Sequence, residues 1–227
     1  MKERLLWKGK KYMNTLIIDC SAGMSILLIK DKQIYKKIDN NQKRHSDELL
    51  LAVDNLLLDA QMSVKDITNI CVCVGPGSFT GIRVAISICK GLSIGTGAKI
   101  FIASNFDIFS YGQNENSVYL LDGFSDFIYM RTISDSNTMD SCEHTQDVIE
   151  KIKNECLGYK VFVSSEKIKN KLEENDITCS YVENKSVECF EYLIKNDSFT
   201  EINQINPIYL RASQAEIERN QKLKEEK

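Results

Sequence analysis

The residues with the plainest chemical possibilities lie in one run, Gly75-Pro76-Gly77-Ser78-Phe79-Thr80-Gly81-Ile82-Arg83, which joins a strand-like stretch to a helix-like one. Glycine permits positive φ and close backbone approach, and free N–H groups at a helix start attract anions. A phosphate loop built on Gly75, Gly77 and Ser78 is one reading. A tight turn that sets a helix against a sheet is the other. The run is not a Walker A loop, because no Gly-Lys-Ser/Thr follows. Nor is it a dinucleotide fingerprint. The glycine spacing departs from G-x-G-x-x-G, Pro76 stiffens the turn, and the stretch 99–103 ends at Ala103-Ser104-Asn105 without a ribose-binding acid.

Two aspartates close apolar strand-like runs. Asp19-Cys20-Ser21-Ala22-Gly23 has the layout of the first phosphate loop of an actin-like ATPase, with Asp19 holding hydrated Mg²⁺ and Ser21 meeting phosphate. Asp122-Gly123 would supply the second loop. Neither carries much else that could bind phosphate. The first has one serine, one glycine and no lysine before Lys30, and Phe124 follows the second. Acids that simply end strands explain them as well. Histidine occurs only at His45 and His144, so no H-x-x-x-H pair exists for metal chemistry and no Ser/His/Asp or Cys/His set is evident. The expectation is no metal and no cofactor. Eight cysteines include no C-x-x-C pair, and Cys71 and Cys73 sit two apart in a strand-like run, where cysteine serves as a small buried hydrophobe.

The elements that would position these residues follow from periodicity. Residues 15–19, 24–30 and 33–38 read as three strands with short links, the Asp31-Lys32 turn joining the last two, which predicts an antiparallel meander. Helices are predicted at 45–60 and 79–94, with buried strands at 70–74 and 99–103. Beyond Gly112–Asn116 the pattern repeats more faintly: a strand at 117–122 forms a hairpin with 126–133, helices fall at 145–156, 165–174 and 186–196, and strands at 159–164 and 178–182. The predicted division is an extension at 1–12 ahead of a start at Met13, a first subdomain 13–112, a second 113–206, and a C-terminal segment with a helix or charged tail at 207–227. Two halves that each open on an apolar strand ending in aspartate suggest an internal duplication, the organisation of the actin, sugar-kinase and Hsp70 fold. The predicted class is therefore α/β with two tandem actin-like, ribonuclease H-like subdomains and mixed sheets.

The two first-half helices are apolar on more than one side. In 45–60, Leu49, Ala52, Val53, Leu56 and Ala60 share one face, while Leu51 and Leu58 fall opposite. In 79–94, Val84, Ala85, Ile88, Cys89 and Leu92 form a broad face, extended by Ile82 and Ile86, and Arg83, Ser87 and Lys90 make a narrow polar strip. Such helices are buried twice over, either within the chain or by a partner.

The whole-chain properties bound the rest. A chain of 227 residues fits one domain or two of roughly 100 residues. Apolar residues make up 43% and charged ones 27%, as in ordinary globular proteins. Net charge of −3 supplies no fold-wide basic field for nucleic acid. No apolar run approaches the about 20 residues of a membrane helix, and the basic start lacks a secretory signal, so a cytoplasmic location is expected.

Four pieces together resemble the TsaB/YeaZ family: Leu16-Ile17-Ile18-Asp19-Cys20-Ser21, Arg44-His45-Ser46-Asp47-Glu48-Leu49-Leu50, the run Gly75 to Arg83, and Pro207-Ile208-Tyr209-Leu210-Arg211. The resemblance implies a non-catalytic scaffold for threonylcarbamoyl transfer to the adenosine beside the anticodon in tRNAs reading A-starting codons. It implies pairing with a TsaD-type catalytic subunit through the two first-half helices, a TsaE-type ATPase in a larger assembly, self-pairing when alone, and tRNA reached only through the complex. Within those helices the partner face is expected on His45, Leu51, Leu58, Ile82, Arg83, Ile86 and Lys90, chosen for positions off the sheet-facing stripe, and Asp19, Ser21, Gly75, Gly77, Ser78 and Asp122 are expected as vestiges of phosphate loops. Family members usually carry threonine at the place of Cys20 and a basic, glycine-containing turn after the aspartate at 122, where this chain has Gly123-Phe124-Ser125-Asp126. The alternative is an active actin-like kinase or ATPase using Asp19, Asp122 and the Gly75–Gly81 loop.

Overall fold

The apolar runs that opened the chain become strands with full register. In the computed structural model, β1 (Thr15–Asp19), β2 (Met24–Lys30) and β3 (Gln33–Asp39) form the expected meander. The two-residue turn between β2 and β3 places Asp31 and Lys32 at positive φ (47° and 68°), the geometry that matches hairpin twist. The structure describes residues 14–39, 45–113, 115–135 and 137–211, without the side chains of residues 45–47. The predictions for 1–12, for Arg44 and for a helix after 211 lie outside the described residues.

Helix α1 (His45–Asp59) follows, then β4 (Asn69–Cys73), α2 (Phe79–Thr96), β5 (Lys99–Ala103) and the short α3 (Asn105–Phe109). β4 pairs with β1 and β5 with β4, both parallel, giving the order β3-β2-β1-β4-β5. α1 packs on β2 and β3, α2 on β4, β1 and β5, and the two helices touch each other. Their shared core is Leu16, Ile18, Ile26, Leu28, Ile70 and Val72 from the strands against Leu49, Val53, Leu56, Ile82, Ala85 and Cys89 from the helices. The predicted inner face of α1 is buried throughout.

The inner face of α2 differs from expectation. It is Ile82, Ala85, Ile86, Cys89 and Ser93, while Val84, Ile88 and Leu92 are half-buried along its side. The hydrophobic pattern of 79–94 is too broad to fix the helix's rotation, so a local contact at its start (below) decides it.

The second unit repeats the plan. β6 (Ser117–Asp122), β7 (Phe127–Ser134) and β8 (Asn137–His144) make an antiparallel meander, followed by α4 (Thr145–Glu155), β9 (Lys160–Val163), α5 (Glu166–Glu173) and β10 (Ser180–Tyr181). The order β10-β9-β6-β7-β8 is that of the first sheet: an opening strand at the centre, its two antiparallel followers on one side, two parallel strands on the other. α4 and α5 bury Val148, Ile149, Ile152, Ile168 and Leu172 against Val118, Leu120, Met130 and Val163.

The boundaries differ from the predicted ones. The first unit ends at Ile108 rather than 112, and residues Lys185–Ile208, predicted as part of the second subdomain, belong to the first. The cause is α6 (Ser186–Lys195), which packs on β5 and buries Cys189, Phe190 and Ile194. After it the Thr200 N–H donates to the Ile100 carbonyl (2.7 Å), covering the edge of β5, and the Ile208 N–H donates to the Val74 carbonyl (2.8 Å).

Candidate partner face and its supporting loops

The C-terminal ends of the parallel strands β1, β4 and β5 place three loops together. Asp19 Oδ1 accepts from the backbone N–H of Ser21 (2.8 Å) and from its hydroxyl (2.6 Å), a local Asx-type turn. The Ser78 N–H donates to the Ser21 carbonyl (2.6 Å). Gly77, at φ 155°, lies so close to Ser21 that a β-carbon there would overlap its backbone. Ser78 caps α2, its hydroxyl accepting from the Gly81 N–H (3.2 Å). Gly81 in turn rests on the Cys20 carbonyl, leaving no room for a side chain. This contact fixes the rotation of α2 and sends Ile82 and Ile86 inward.

One residue ties the three loops. Asn105, only 5% exposed, donates its amide to the Pro76 carbonyl (2.7 Å) and to the Ser21 hydroxyl (2.8 Å). Its Oδ1 accepts from the Cys73 thiol (3.3 Å), and its backbone N–H donates to the Gly75 carbonyl (2.9 Å). In the sequence, Asn105 stands out only as the place where a ribose-binding acid is lacking. Its position directly after β5, opposite two other strand ends, is the signal that would have found it. Burial and the nearby Asp19 carboxylate push the Cys20 thiol up to about 12, and the same two causes raise Cys73 well above the ordinary thiol range.

A phosphate loop needs N–H groups turned toward the anion. Here the N–H groups of Ser21, Ser78 and Gly81 are bonded within the chain, and Asp19 serves Ser21. The structure thus gives Asp19, Ser21, Gly75, Gly77 and Ser78 a common role in joining β1 to the start of α2. Asp122 lies in the other unit, where its Oδ2 accepts from the Ser164 hydroxyl (3.2 Å). The hairpin after it is pinned by its own surroundings. Lys167 donates to the Ser125 carbonyl (3.0 Å), and Asp126 holds Lys171 (2.5 Å) and Thr145 (2.9 Å). His144 packs its ring against Phe127 at 4.0 Å and lies in the second unit as well.

Of the predicted partner-face residues, Leu51 and Leu58 stand out on the free side of α1, 59% and 73% exposed. Arg83 is exposed at the start of α2, its guanidinium 3.8 Å over the Phe79 ring, and Lys90 is half-buried. Ile82 and Ile86 are corrected: at 1% and 5% exposure they belong to the core and offer nothing to a partner. The side chain of His45 lies outside the described residues. Sequence reasoning missed Leu50 and Ile94, both exposed. Ile94 continues the outward strip Arg83–Ser87–Lys90 at helical spacing, which the pattern already contained.

Two duplicated sheets, each with helices after its third and fourth strands, define the actin-like α/β class. Solved structures agree: YeaZ from Pseudomonas aeruginosa superposes with a TM-score of 0.68 at 18% identity, over 87% of this chain and 100% of that one. A second Pseudomonas aeruginosa structure, described as similar to peptidase YEAZ, gives 0.69 at 18% identity over 88% and 100%. The family model described as "TsaD: tRNA N6-adenosine threonylcarbamoyltransferase" matches residues 33–218. The chain belongs to this family. A Buchnera aphidicola (Schizaphis graminum) relative named tRNA threonylcarbamoyladenosine biosynthesis protein TsaB is 35% identical over 94 residues, 41% of this chain and 45% of that protein. The Bacillus subtilis protein of the same name is 38% identical over 84 residues, 36% of each. The match thus spans less than half the length of these two relatives.

Proposed function

We propose that the chain is a non-catalytic scaffold and activator in tRNA threonylcarbamoyladenosine biosynthesis, pairing with a TsaD-type catalytic subunit through the outer side of α1 and α2. The observation that carries this reading is the pair Leu51 and Leu58, exposed on a helix whose opposite face is already committed to the core. Covering one such leucine contributes about 1.5–3 kcal/mol, so two of them with Leu50 and Ile94 supply a credible interface centre. The acids Glu48 and Asp54 on α1 and the bases Arg83 and Lys90 on α2 add charges of both signs for register.

The relatives' printed names support the pathway. The self-bonded loops at Asp19 and Gly75 support a scaffold rather than a nucleotide site. A TsaE-type ATPase joins the assembly, the chain pairs with itself when alone, and tRNA is met through the complex in the cytoplasm.

Co-purification with the cognate TsaD-type subunit, followed by a tRNA modification assay, tests the reading. The native chain should pair and restore modification. A Leu51→Glu/Leu58→Glu variant should fold and do neither. Normal pairing by that variant, or ATP turnover by the isolated chain, would sink the proposal.

A further inference from the structure

The partner face depends on how α2 leaves its loop, and that loop is held from below by one buried side chain. Beside the direct bond from the Ser78 N–H to the Ser21 carbonyl (2.6 Å), the Asn105 amide bridges the Gly75–Ser78 loop and the β1 turn by two side-chain contacts: Pro76 carbonyl at 2.7 Å and Ser21 hydroxyl at 2.8 Å. The Ser21 hydroxyl already gives its proton to Asp19, so it has only acceptor capacity left for Asn105. Both amide protons are therefore spoken for, and Oδ1 takes the Cys73 thiol.

We propose that Asn105 is a positioning residue for partner binding: it sets the seat of the first turn of α2, and so the placement of Phe79 and Arg83 on the outer face. The proposal rests on the reading of that face given above. The chain of contacts runs from Asn105 to Pro76 and Ser21, from Ser21 to the Ser78 N–H, from the Ser78 hydroxyl to the Gly81 N–H, and from there into the helix. Asn105→Asp keeps the shape and the acceptor for Cys73 but replaces the donor with a carboxylate oxygen. That oxygen would face the Pro76 carbonyl and a hydroxyl already committed to Asp19. The loop must then move away, and the start of α2 with it.

The test compares four variants of the full chain by calorimetric pairing with the cognate catalytic subunit, thermal midpoint, and amide exchange of the free chain. Asn105→Asp should weaken pairing about tenfold or more, equivalent to ~1.4 kcal/mol, and speed exchange at residues 79–84. Exchange in α1 should stay unchanged. Ile194→Ala, in α6 on β5, is the control for general destabilisation and should leave pairing within about twofold. Should Asn105→Asp fail to fold, Ser21→Ala, which removes one of the two acceptors, should weaken pairing by a smaller factor of about three. Pairing unchanged in Asn105→Asp, or in Ser21→Ala if that variant must serve, overturns the proposal. So does equal weakening by Asn105→Asp and Ile194→Ala. Leu51→Glu separates the two readings. If it abolishes pairing while Asn105→Asp does not, only Asn105 loses its role. If it pairs normally, the face assignment fails and this proposal falls with it.

Discussion

Gly81, in the first turn of α2, lies directly against the carbonyl oxygen of Cys20 at the end of β1. A single methyl group at that position overlaps backbone, which cannot yield as a flexible side chain would. Gly81→Ala should therefore cost about 1–3 kcal/mol, the usual range for overpacking, and lower the thermal midpoint by several degrees. Gly91→Ala, in the same helix with nothing within 4 Å, should be neutral or stabilise by up to about 1 kcal/mol. Equal effects of the two would show that the contact with Cys20 does not constrain the helix.

Ile86 and Leu51 separate core from surface. Ile86→Glu buries a charge among Leu16, Ile70 and their neighbours and should leave no cooperative unfolding transition. Leu51→Glu should change stability by no more than about 0.5 kcal/mol. Circular dichroism melts of the two variants decide this without any partner present.

Lys30 reaches across from β2 to the C-terminal end of α1, where its ammonium donates to the Ala60 carbonyl (2.8 Å). A cation there satisfies a terminal carbonyl and opposes the negative end of the helix dipole. Lys30→Met should cost about 1 kcal/mol in urea unfolding. A cost near zero would mean that water replaces the ammonium freely.

Lys171 and the Thr145 hydroxyl hold the Asp126 carboxyl below its ordinary range. A lowered folded-state value makes the contribution fully present above the unfolded carboxylate range, and it is lost as pH falls through the folded value. Lys171→Met should raise the Asp126 titration midpoint toward normal in a carbon-detected NMR titration. The variant's melting difference from the native chain should shrink as pH falls through that same region. A difference independent of pH would assign the effect to packing.

Cys20, pushed up to about 12, and the deeply buried Cys71, Cys73 and Cys89, all raised by burial, should remain thiols at neutral pH. Iodoacetamide at pH 8 should modify them only at the rate of global unfolding. Fast labelling of Cys20 in the folded chain would contradict the closed loop around it.

The strands and helices with strong periodicity were legible from residues alone. Ile17, Cys71 and Phe101 alternate with Ile18, Ile70 and Ile100 along their strands, and Leu49, Val53 and Leu56 mark one side of α1. β8 was not legible, because Asn137–His144 is a polar edge strand with no apolar face to read. The rotation of α2 was hidden for the opposite reason: Ile82, Val84, Ile86 and Ile88 offer apolar residues in too many directions. The fit of Gly81 on Cys20 favours one of them, and a contact between residues so far apart in the chain leaves no trace in periodicity. The same holds for Asn105, whose partners come from two other loops. The glycine run and Asp19 were found by type and spacing, but their bonding, which turns a possible anion site into a joint, is a property of the assembled strand ends.

The contribution of α6 to the first unit bears on how the protein can be made. Phe190 and Ile194 emerge during synthesis only after the whole second sheet, so the flank of β5 they cover stays bare until then. A fragment cut at 112 would keep that apolar flank open and should be sticky and prone to aggregate, whereas joining 185–208 to it through a short glycine–serine bridge should give a soluble minimal lobe.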